Sequence, residues 1–340
     1  MLNGGEQVVR LVDPVSVRDE IPQAAIAEGF TGALVSTSGS TGTSKTVVLS
    51  RQALIAAAQA THQRVGAGSW VNPLSPWCVA GLMTRVRAIL AGHPQTDIST
   101  TLDDLEQPQE TAYISIVPTQ LYRALSRPDL CEKLAGFEAV LVGGAALDPR
   151  IHGQALERGI HVVTTYGMSE TCGGVVYDGL PLDGVEIDFA GEESTVVLRT
   201  PTVFDGYLGE PELTRTVLCD GAFLTSDRGR LVDGRLEIIG RIDDVIQSGG
   251  VNVDLAEIQR RLDEFFPQEV ACFAVPDPIW GMTVIVASLG PSLAAIQDRL
   301  KEHLDSAARP RGILELENLP RTSSGKIDPT ALVDRWRQGG

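Results

Sequence analysis

The feature that most constrains the fold is an alternation of apolar runs and helical segments between residues 111 and 165. The runs at 111–117, 137–142 and 161–165 predict buried strands, and the segments 118–125 and 148–157 between them predict helices. Because strands separated by helices of this length pair in parallel, we predict an α/β fold with a doubly wound, mostly parallel sheet. Ligands of such a sheet bind at the carboxyl ends of its strands.

Segments on either side of this alternation complete a large N-terminal domain. Ser50 can cap a helix over residues 53–63, and a strand at 70–74 precedes a helix that continues to residue 91. A short helix is expected at 21–27. Short alternating segments with Gly and Pro turns between 182 and 207 predict a small β-subdomain attached to the sheet.

A charged segment at residues 240–250 separates this part from a smaller unit. We place the boundary within it, so that residues 1–241 form the N-terminal domain and residues 242–340 the C-terminal one, which agrees with the length of the chain. The second unit is expected to be a compact α+β domain. Its predicted elements are helices at 255–265, capped by Asp254, and 293–304, and strands at 269–275, 282–289 and 313–316.

The charge of the chain limits its partners. The formal net charge is −16, which would repel a phosphate backbone or an anionic membrane, so neither nucleic acid nor a membrane is expected as a partner. No apolar run approaches the ~20 residues of a membrane span, and residues 1–10 lack the pattern of a secretory leader. We therefore expect a cytoplasmic protein.

Cysteine and histidine positions indicate neither a disulfide framework nor a zinc site. The five cysteines form no C-x-x-C pair, and the five histidines have no spacing typical of metal ligands. We interpret these side chains as structural or surface residues.

A loop rich in hydroxyl groups lies at residues 36–45, which read STSGSTGTSK, between apolar runs at 32–35 and 47–49. Its glycines allow positive φ and close backbone approach, and its hydroxyls, amide hydrogens and lysine can grip phosphate oxygens. The loop therefore predicts a phosphate site between two strands. The candidate residues are Ser38, Gly39, Ser40, Thr41, Gly42 and Lys45.

This loop has two other possible interpretations. The nucleotide-binding pattern G-x-x-x-x-G-K-[ST] is not supported, because Ser44 stands where the second glycine is required. A plain Ser/Thr/Gly linker stays open, although the flanking strands and Lys45 favour phosphate binding.

A second candidate site follows the last strand of the alternation, where residues 165–171 read TYGMSET. Tyr166 can stack on a purine, Glu170 can hold a magnesium ion, and Thr171 can donate to a phosphate oxygen. These groups emerge where a parallel sheet presents its ligand site. The alternative, a plain strand-to-loop turn, does not explain why they cluster.

Five segments together resemble the signature motifs of the adenylate-forming acyl-CoA synthetase superfamily, in the order of that family. Besides 36–45 and 165–171, they are FLTSD at 223–227, GRIDDVIQSGG at 240–250 and LPRTSSGKID at 319–328. The segments VAGL at 79–82, VPTQL at 117–121 and VGGA at 142–145 are similar to o-succinylbenzoate:CoA ligases. The resemblance covers nearly the whole chain.

The resemblance implies a two-step ligase that uses ATP, Mg²⁺ and coenzyme A, with a small C-terminal domain that moves as a lid. An acid, most closely o-succinylbenzoate of menaquinone biosynthesis, becomes an acyl-adenylate and then a thioester. Lys326, Thr171 and Glu170 are implied as the catalytic residues, Glu170 also as the metal ligand, and Lys45 with its loop as the phosphate site. The other implied cofactor-binding positions are Gly144, Ala145, Tyr166, Gly167, Asp227, Arg241, the pivot Asp243, and Gly249 and Gly250 at the pantetheine arm.

The sequence departs from the family pattern at two places. Trp77 and Cys78 replace histidines that o-succinylbenzoate ligases carry, and we interpret Trp77 as a core residue. Ser226 replaces the usual glycine before Asp227. A second carboxylate on the acid needs a cation, for which Arg85, Arg87 and Arg123 are candidates, each equally interpretable as a helix-surface residue.

Two other functions remain open at this point. One is a ligase for another aryl or short acyl acid, or one that loads a carrier protein. The other is a nucleotide-binding protein without turnover, which Lys326 argues against because a pure binder has little use for it. An exposed sheet edge near the short N-terminal segment would favour a homodimer.

Overall fold

The computed structural model describes residues 8–11, 31–37, 45–192, 194–267, 269–322 and 327–339. The predicted helix at 21–27 lies outside them. Up to residue 241 the strands are β1 (Val8–Leu11), β2 (Gly32–Thr37), β3 (Lys45–Ser50), β4 (Ser69–Asn72), β5 (Gln95–Asp97), β6 (Ala112–Ile116), β7 (Ala139–Gly143), β8 (Val162–Met168), β9 (Gly173–Tyr177), β10 (Leu180–Pro181), β11 (Glu186–Ala190), β12 (Thr195–Arg199), β13 (Gly206–Tyr207), β14 (Leu218–Cys219), β15 (Ala222–Val232) and β16 (Arg235–Arg241). The helices are α1 (Arg51–Val65), α2 (Val79–Ala91), α3 (Pro118–Leu125), α4 (Pro128–Ala135), α5 (Pro149–Glu157) and α6 (Pro211–Val217), with a 3₁₀ turn at Ser169–Thr171.

The main sheet has the strand order β10-β9-β8-β7-β6-β4-β5. Strands β4 to β8 pair in parallel, and β9 and β10 extend the sheet in antiparallel pairs. Helices cover both faces: Tyr113 of β6 lies in the core that contains α1 and α2, and Ile114 in the core that contains α3, α4 and α5. The predicted doubly wound, mostly parallel sheet is confirmed.

A smaller sheet carries the hydroxyl-rich loop. β2 and β3 are antiparallel, with Thr37 opposite Lys45, so residues 38–44 connect two strands as predicted. β1 and β13 flank this pair. Ser50 ends β3 and caps α1, its Oγ accepting from the Ala53 N–H at 3.2 Å. Lys45 therefore stands at the mouth of the loop.

The β-subdomain is an antiparallel sheet of β11, β12, β15 and β14, with β16 paired to β15. It contains the short strands predicted between 182 and 207, except that β13 leaves this sheet and pairs with β3. That pair places Tyr207 opposite Val47, and the β15–β16 pair places Asp227 opposite Arg241. Tyr207 and Val47 thus come from distant parts of the chain and meet in the smaller sheet.

The C-terminal unit is an α+β domain. Its elements are β17 (Val245–Ser248), β18 (Val251–Asp254), α7 (Leu255–Phe265), β19 (Val270–Asp277), β20 (Gly281–Ser288), α8 (Leu293–Leu300), β21 (Gly312–Glu315) and α9 (Pro329–Gly339). α7 and α8 pack on one face of the sheet and α9 on the other. Asp254 caps α7 as predicted. No helix in the described ranges is long and apolar enough to cross a membrane.

Arginine contacts join this unit to residues 1–241, here called the body. Arg150 of α5 donates to the backbone carbonyls of Asp263 and Glu264, at 2.7 and 3.0 Å, in the last turn of α7. Arg228 of β15 pairs with Asp254 at 2.9 Å, at the start of α7. Both ends of α7 are therefore held by arginines of the body.

Asp263 makes the protein's stability sensitive to pH at this contact. Burial raises the pKa of its carboxyl to about 6, helped by the charge of Asp148 and opposed by Gln259, Arg150 and Arg321. Ionised Asp263 therefore costs folding free energy near neutral pH.

We predict that Asp263→Asn stabilises the protein above pH 6 and leaves its stability unchanged near pH 4. Because the folded-state pKa lies above the ordinary value of 3.8, the cost of ionisation is absent at low pH and fully present above pH 6. A shift of this size corresponds to at most about 3 kcal/mol. Thermal unfolding of both proteins from pH 4 to pH 8 measures the difference, and an equal difference at every pH would contradict the assignment.

Candidate functional site

The nucleoside-binding residues predicted from the sequence lie together. The Tyr166 hydroxyl donates to Oδ2 of Asp227 at 2.8 Å, and Nη1 of Arg241 donates to Oδ1 at 2.9 Å. Pairing of β15 with β16 brings Arg241 opposite Asp227, and Tyr166 reaches the pair from β8. Burial and the Asp227 charge raise the pKa of Tyr166, so its hydroxyl remains a neutral donor.

The Asp227 carboxylate can accept further hydrogen bonds. It is only 6% exposed, and its backbone N–H donates to the Thr225 hydroxyl at 3.0 Å, which fixes its position. A carboxylate offers about four acceptor sites, so the two hydroxyls of a ribose could bind beside Tyr166 and Arg241. Ser226, which replaces the usual glycine, lies within the extended strand β15 and is accommodated there.

Arg241 also holds the segment between β16 and β17. Its Nε and Nη2 donate to the two carboxylate oxygens of Asp243, at 3.0 and 2.9 Å. One guanidinium therefore connects Asp227 in the body with the residue predicted to be the pivot. Burial and the charge of Asp243 raise the pKa of the neighbouring Asp244. The connection is thus a network of carboxylates around one arginine.

Lys45, Glu170 and Tyr207 form a second group. The Tyr207 hydroxyl donates to Oε1 of Glu170 at 2.8 Å, and the Lys45 ammonium lies 5.3 Å from the centre of the Tyr207 ring. The group thus combines a cation, a carboxylate and a neutral donor. Tyr207 was not recognised in the sequence, because only the pairing of β13 with β3 brings it to its partners.

The turn between the two groups depends on Gly167 and Thr171. An added Cβ at Gly167 would lie 2.0 Å from the carbonyl oxygen of Gly173, so β8 and β9 approach this closely only with glycine. Thr171 is fully buried, and its hydroxyl donates to Gly173 O at 2.7 Å and accepts from the Met168 N–H at 3.0 Å. Its observed role is to close the turn, and its contact with a phosphate stays a prediction.

Gly144 and Ala145 follow β7 at the carboxyl edge of the main sheet. Gly143, the last residue of β7, pairs with Thr165, which precedes Tyr166. Gly144 has a φ of 85°, and both residues are exposed. They therefore lie next to the nucleoside end of the site.

Glu170 is compatible with a magnesium ligand. Mg²⁺ at nucleotide sites is usually held by one or two carboxylates together with phosphate oxygens and water. Within the part of the chain that the structure describes, no group of three or more His, Cys, Asp or Glu side chains is arranged around a metal position. An ion at Glu170 would therefore take the rest of its ligands from the nucleotide and from water.

Other predicted residues lie elsewhere. Gly249 and Gly250 form the tip of the β17–β18 hairpin, with φ values of 59° and 80°. An added Cβ at Gly249 would meet the Trp280 ring at 2.5 Å, and the space beside Gly250 is open. The residues Ser38, Gly39, Ser40, Thr41, Gly42 and Lys326 lie outside the described ranges.

The interpretation of Trp77 as a core residue was wrong. Its side chain is 38% exposed. It lies in the turn before α2, where the Cys78 N–H donates to Ser75 O at 3.3 Å. A residue in this turn lies on no helix face that would direct it into the core.

The arginines predicted as candidates for a second carboxylate have other contacts in the structure, and that role stays a prediction. Arg85 pairs with Asp97 at 2.9 Å, and Arg87 is buried with its guanidinium 4.9 Å from the Trp70 ring. Arg123 is exposed in the last turn of α3. These contacts give Arg85 and Arg87 structural roles and leave the cation for a second carboxylate unassigned.

Two models of known protein families match this chain. Residues 31–208 match the model of the AMP-binding enzyme family, and residues 267–326 match that of the AMP-binding enzyme C-terminal domain. The chain belongs to the AMP-binding enzyme family. The resemblance read from the five sequence motifs is therefore confirmed.

Members of this family are similar to the protein along most of its length. A probable 2-succinylbenzoate–CoA ligase of Mycobacterium tuberculosis is 36% identical over 324 residues, which cover 89% of this chain and 84% of the relative. A feruloyl-CoA synthase of Amycolatopsis is 29% identical over 351 residues, covering 91% and 70%. The o-succinylbenzoate CoA synthetase of Bacillus subtilis, solved with its acyl-adenylate intermediate, shares the fold with a TM-score of 0.76 at 24% identity, covering 88% of this chain and 68% of that one.

We predict that Gly167→Ala lowers stability by roughly 1–3 kcal/mol and weakens ATP binding, because backbone atoms of β9 occupy the space of the new methyl group. Gly153→Ala is the matched control, since nothing lies within 4 Å of its added Cβ in α5, and alanine there should be neutral or slightly stabilising. Thermal unfolding and ATP titration compare the two. Equal behaviour of the variants would show that β8 and β9 are not locked together at Gly167.

Proposed function

We propose that the protein is an ATP-dependent acid–thiol ligase, which converts a carboxylic acid to an acyl-adenylate and transfers the acyl group to coenzyme A. The observation that carries the proposal is the segment 166–170, which joins two groups. Tyr166 meets Asp227 at one end, and Glu170 meets Tyr207, whose ring lies 5.3 Å from the Lys45 ammonium, at the other. One short segment can thus bind both the nucleoside and the phosphates of a single ATP.

The chemistry requires positive charge where negative charge develops. A carboxylate oxygen attacks the α-phosphorus of ATP, and the bond from that phosphorus to the pyrophosphate breaks. The coenzyme A thiol then loses its proton, its sulfur attacks the acyl carbonyl carbon, and AMP leaves. We propose that Lys326 stabilises the transition state of the first step. Lys45 and the loop residues 38–42 would bind the pyrophosphate. Magnesium at Glu170 would neutralise phosphate charge.

We also propose that residues 242–340 act as a lid on residues 1–241. The two parts have separate hydrophobic cores, and the contacts that Arg150 and Arg228 make at the ends of α7 are polar. Asp243 would serve as the pivot, because it lies between β16 and β17 and is held by the Arg241 guanidinium. After rotation, the Gly249–Gly250 turn would reach the pantetheine arm.

The acid that we propose is o-succinylbenzoate, which would place the enzyme in menaquinone biosynthesis. The name of the relative with 36% identity supports it. A second candidate is an aryl acid of the feruloyl type, since a feruloyl-CoA synthase is similar over 91% of this chain. Of these two acids only o-succinylbenzoate needs a second cation. Because Arg85 pairs with Asp97 and Arg87 packs on Trp70, neither is assigned to that role, and the feruloyl-type acid is therefore tested as well.

A basic groove in the C-terminal unit supports coenzyme A over a carrier protein as acceptor. The groove, of about 620 Å³, is lined in part by Arg309 and Arg311, and by Lys301, which forms an ion pair with Asp298 at 2.6 Å. The Arg311 guanidinium lies 3.7 Å from the Trp280 ring, which also packs against Gly249. Arg309 and Arg311 donate to backbone carbonyls, so their charge is available to phosphates. A phosphate-bearing thiol therefore fits beside the Gly249–Gly250 turn.

For the assembly, we propose a homodimer that works in the cytoplasm and pairs through the β16 edge. Ile238 and Ile239 on that strand are 40% and 39% exposed, and Leu231 on β15 is 50% exposed. An apolar strand edge favours pairing with another chain. Light scattering that finds only monomer would reject the dimer.

ATP–pyrophosphate exchange across a panel of acids tests the function. The panel contains o-succinylbenzoate, ferulate, benzoate and short fatty acids. Exchange with o-succinylbenzoate alone supports the first candidate, and exchange with ferulate supports the second. Exchange with none of the acids, together with normal ATP binding, would favour a nucleotide-binding protein without turnover.

We predict that Lys326→Ala slows acyl-adenylate formation by at least about 100-fold. Thioester formation from a supplied acyl-adenylate should be largely spared, because the lysine stabilises the transition state of the first step only. Lys133→Ala on α4 is the surface control. Single-turnover measurement of each half-reaction compares the variants. An equal loss in both halves would count against the assigned role.

We predict that Arg311→Ala raises the KM for coenzyme A about tenfold and leaves pyrophosphate exchange unchanged, because only the thiol substrate carries phosphates to the groove. The effect should vanish when pantetheine, which lacks the nucleotide, replaces coenzyme A. Arg335→Ala, on the exposed face of α9, is the control. A tenfold rise in the KM for pantetheine as well would show that the groove does not bind the nucleotide end of coenzyme A.

A further inference from the structure

Tyr207 connects residues from three parts of the chain. Its hydroxyl donates to Oε1 of Glu170 at 2.8 Å, and its ring lies 5.3 Å from the Lys45 ammonium. The ring also packs against Phe204, with ring centres 4.9 Å apart. The side chain thus contacts both residues assigned to the phosphate end of the nucleotide.

The backbone of β13 fixes this side chain. Tyr207 pairs with Val47, the Leu208 N–H donates to Thr46 O at 2.8 Å, and the Phe204 N–H donates to Glu170 O at 2.8 Å. The segment 204–208 is therefore bonded both to the strand that begins with Lys45 and to the turn that carries Glu170, and the Tyr207 N–H itself donates to the Thr214 hydroxyl at 2.9 Å. These bonds fix the backbone that carries the Tyr207 ring.

The hydroxyl is a permanent donor at this position. Tyr207 is 9% exposed, and its phenol hydroxyl lies 2.8 Å from Oε1 of Glu170, an acceptor-only group when ionised, so the tyrosine is the donor of this hydrogen bond. A protonated hydroxyl donates to one oxygen of the carboxylate and so fixes the rotation of the carboxylate plane. The second oxygen then points in a defined direction.

We propose that Tyr207 is a positioning residue for the divalent cation and the phosphates: its hydroxyl orients Glu170 toward the metal, and its ring holds the Lys45 ammonium at the mouth of the loop. The inference rests on the proposed function, which assigns the metal to Glu170. It explains why a tyrosine stands here, since phenylalanine would supply the ring contact alone. A hydroxyl that donates to a metal-binding carboxylate fixes the orientation of that carboxylate, as hydrogen-bond partners of metal ligands generally do.

Tyr207→Phe removes the hydroxyl and keeps the ring. We expect the Mg²⁺ concentration that half-saturates ATP binding to rise about tenfold, within the 10- to 100-fold range typical of such partners. The ATP affinity at saturating Mg²⁺ should change less than twofold. Calorimetric titration of ATP at a series of Mg²⁺ concentrations measures both, without requiring turnover.

Tyr113→Phe is the matched control. Tyr113 is 1% exposed, and its hydroxyl donates to Val65 O at 2.8 Å at the amino end of β6, whereas the site lies at the carboxyl edge of the sheet. It should lose comparable thermal stability with no change in Mg²⁺ dependence. A second variant, Tyr207→Leu, also removes the ring from Lys45, and we expect it to weaken ATP binding several-fold even at saturating Mg²⁺.

Glu170→Gln separates failure of this inference from failure of the proposed function. If Glu170→Gln leaves the Mg²⁺ dependence unchanged, the metal assignment itself is wrong. If Glu170→Gln shifts it and Tyr207→Phe does not, or if Tyr207→Phe only lowers the melting temperature as Tyr113→Phe does, Tyr207 is merely structural and the inference is overturned. A shift in both variants with an unchanged control supports it.

Discussion

The site depends on a change of pairing partner along β8. Up to Thr165 this strand runs parallel to β7, and from Thr165 to Met168 it pairs antiparallel with β9, with a shift of register after Tyr166. The shift requires the close backbone approach that Gly167 allows. As a result Tyr166 and Glu170, neighbours along the chain, reach two different clusters of side chains. If one nucleotide binds both clusters, as proposed, a single strand and the turn that follows it set the spacing between the groups that hold its two ends.

Electrostatics distinguishes the two clusters. At the nucleoside end, Arg241 is surrounded by Asp227, Asp243 and Asp244, so its charge is largely compensated within the protein. At the phosphate end, the described contact of Lys45 is with an aromatic ring, which holds the ammonium without neutralising it. A chain with a net charge of −16 can therefore still present positive charge where a phosphate would bind. Local arrangement, rather than total charge, decides which ligands can approach.

Local sequence signals predicted much of the fold and some of the site. Ser50 and Asp254 cap the helices expected of them, and the strands and helices between 111 and 165 appear with small changes of boundary. These features depend on neighbours in the chain. By contrast, the place of Tyr207 depends on strand pairing between distant segments, and the exposure of Trp77 depends on a turn before α2, so no periodicity indicated either. Asp227 and Arg241 were found because each lies in a recognisable motif, but their direct ion pair required the register of β15 and β16.

The contacts between the two units at the ends of α7 are compatible with the proposed lid motion. Arg150 reaches backbone carbonyls at the end of α7, and Arg228 reaches the capping carboxylate at its start. Such polar contacts exchange readily for contacts with water, whereas a shared apolar core would not, so separating the units costs little hydrophobic free energy. Arg241 then matters in a second way, because it binds Asp227 and Asp243 at once. If a ribose binds Asp227 beside Arg241, as proposed, it shares that carboxylate with the guanidinium that also holds the proposed pivot Asp243, and nucleotide occupancy and lid orientation would be coupled through one side chain.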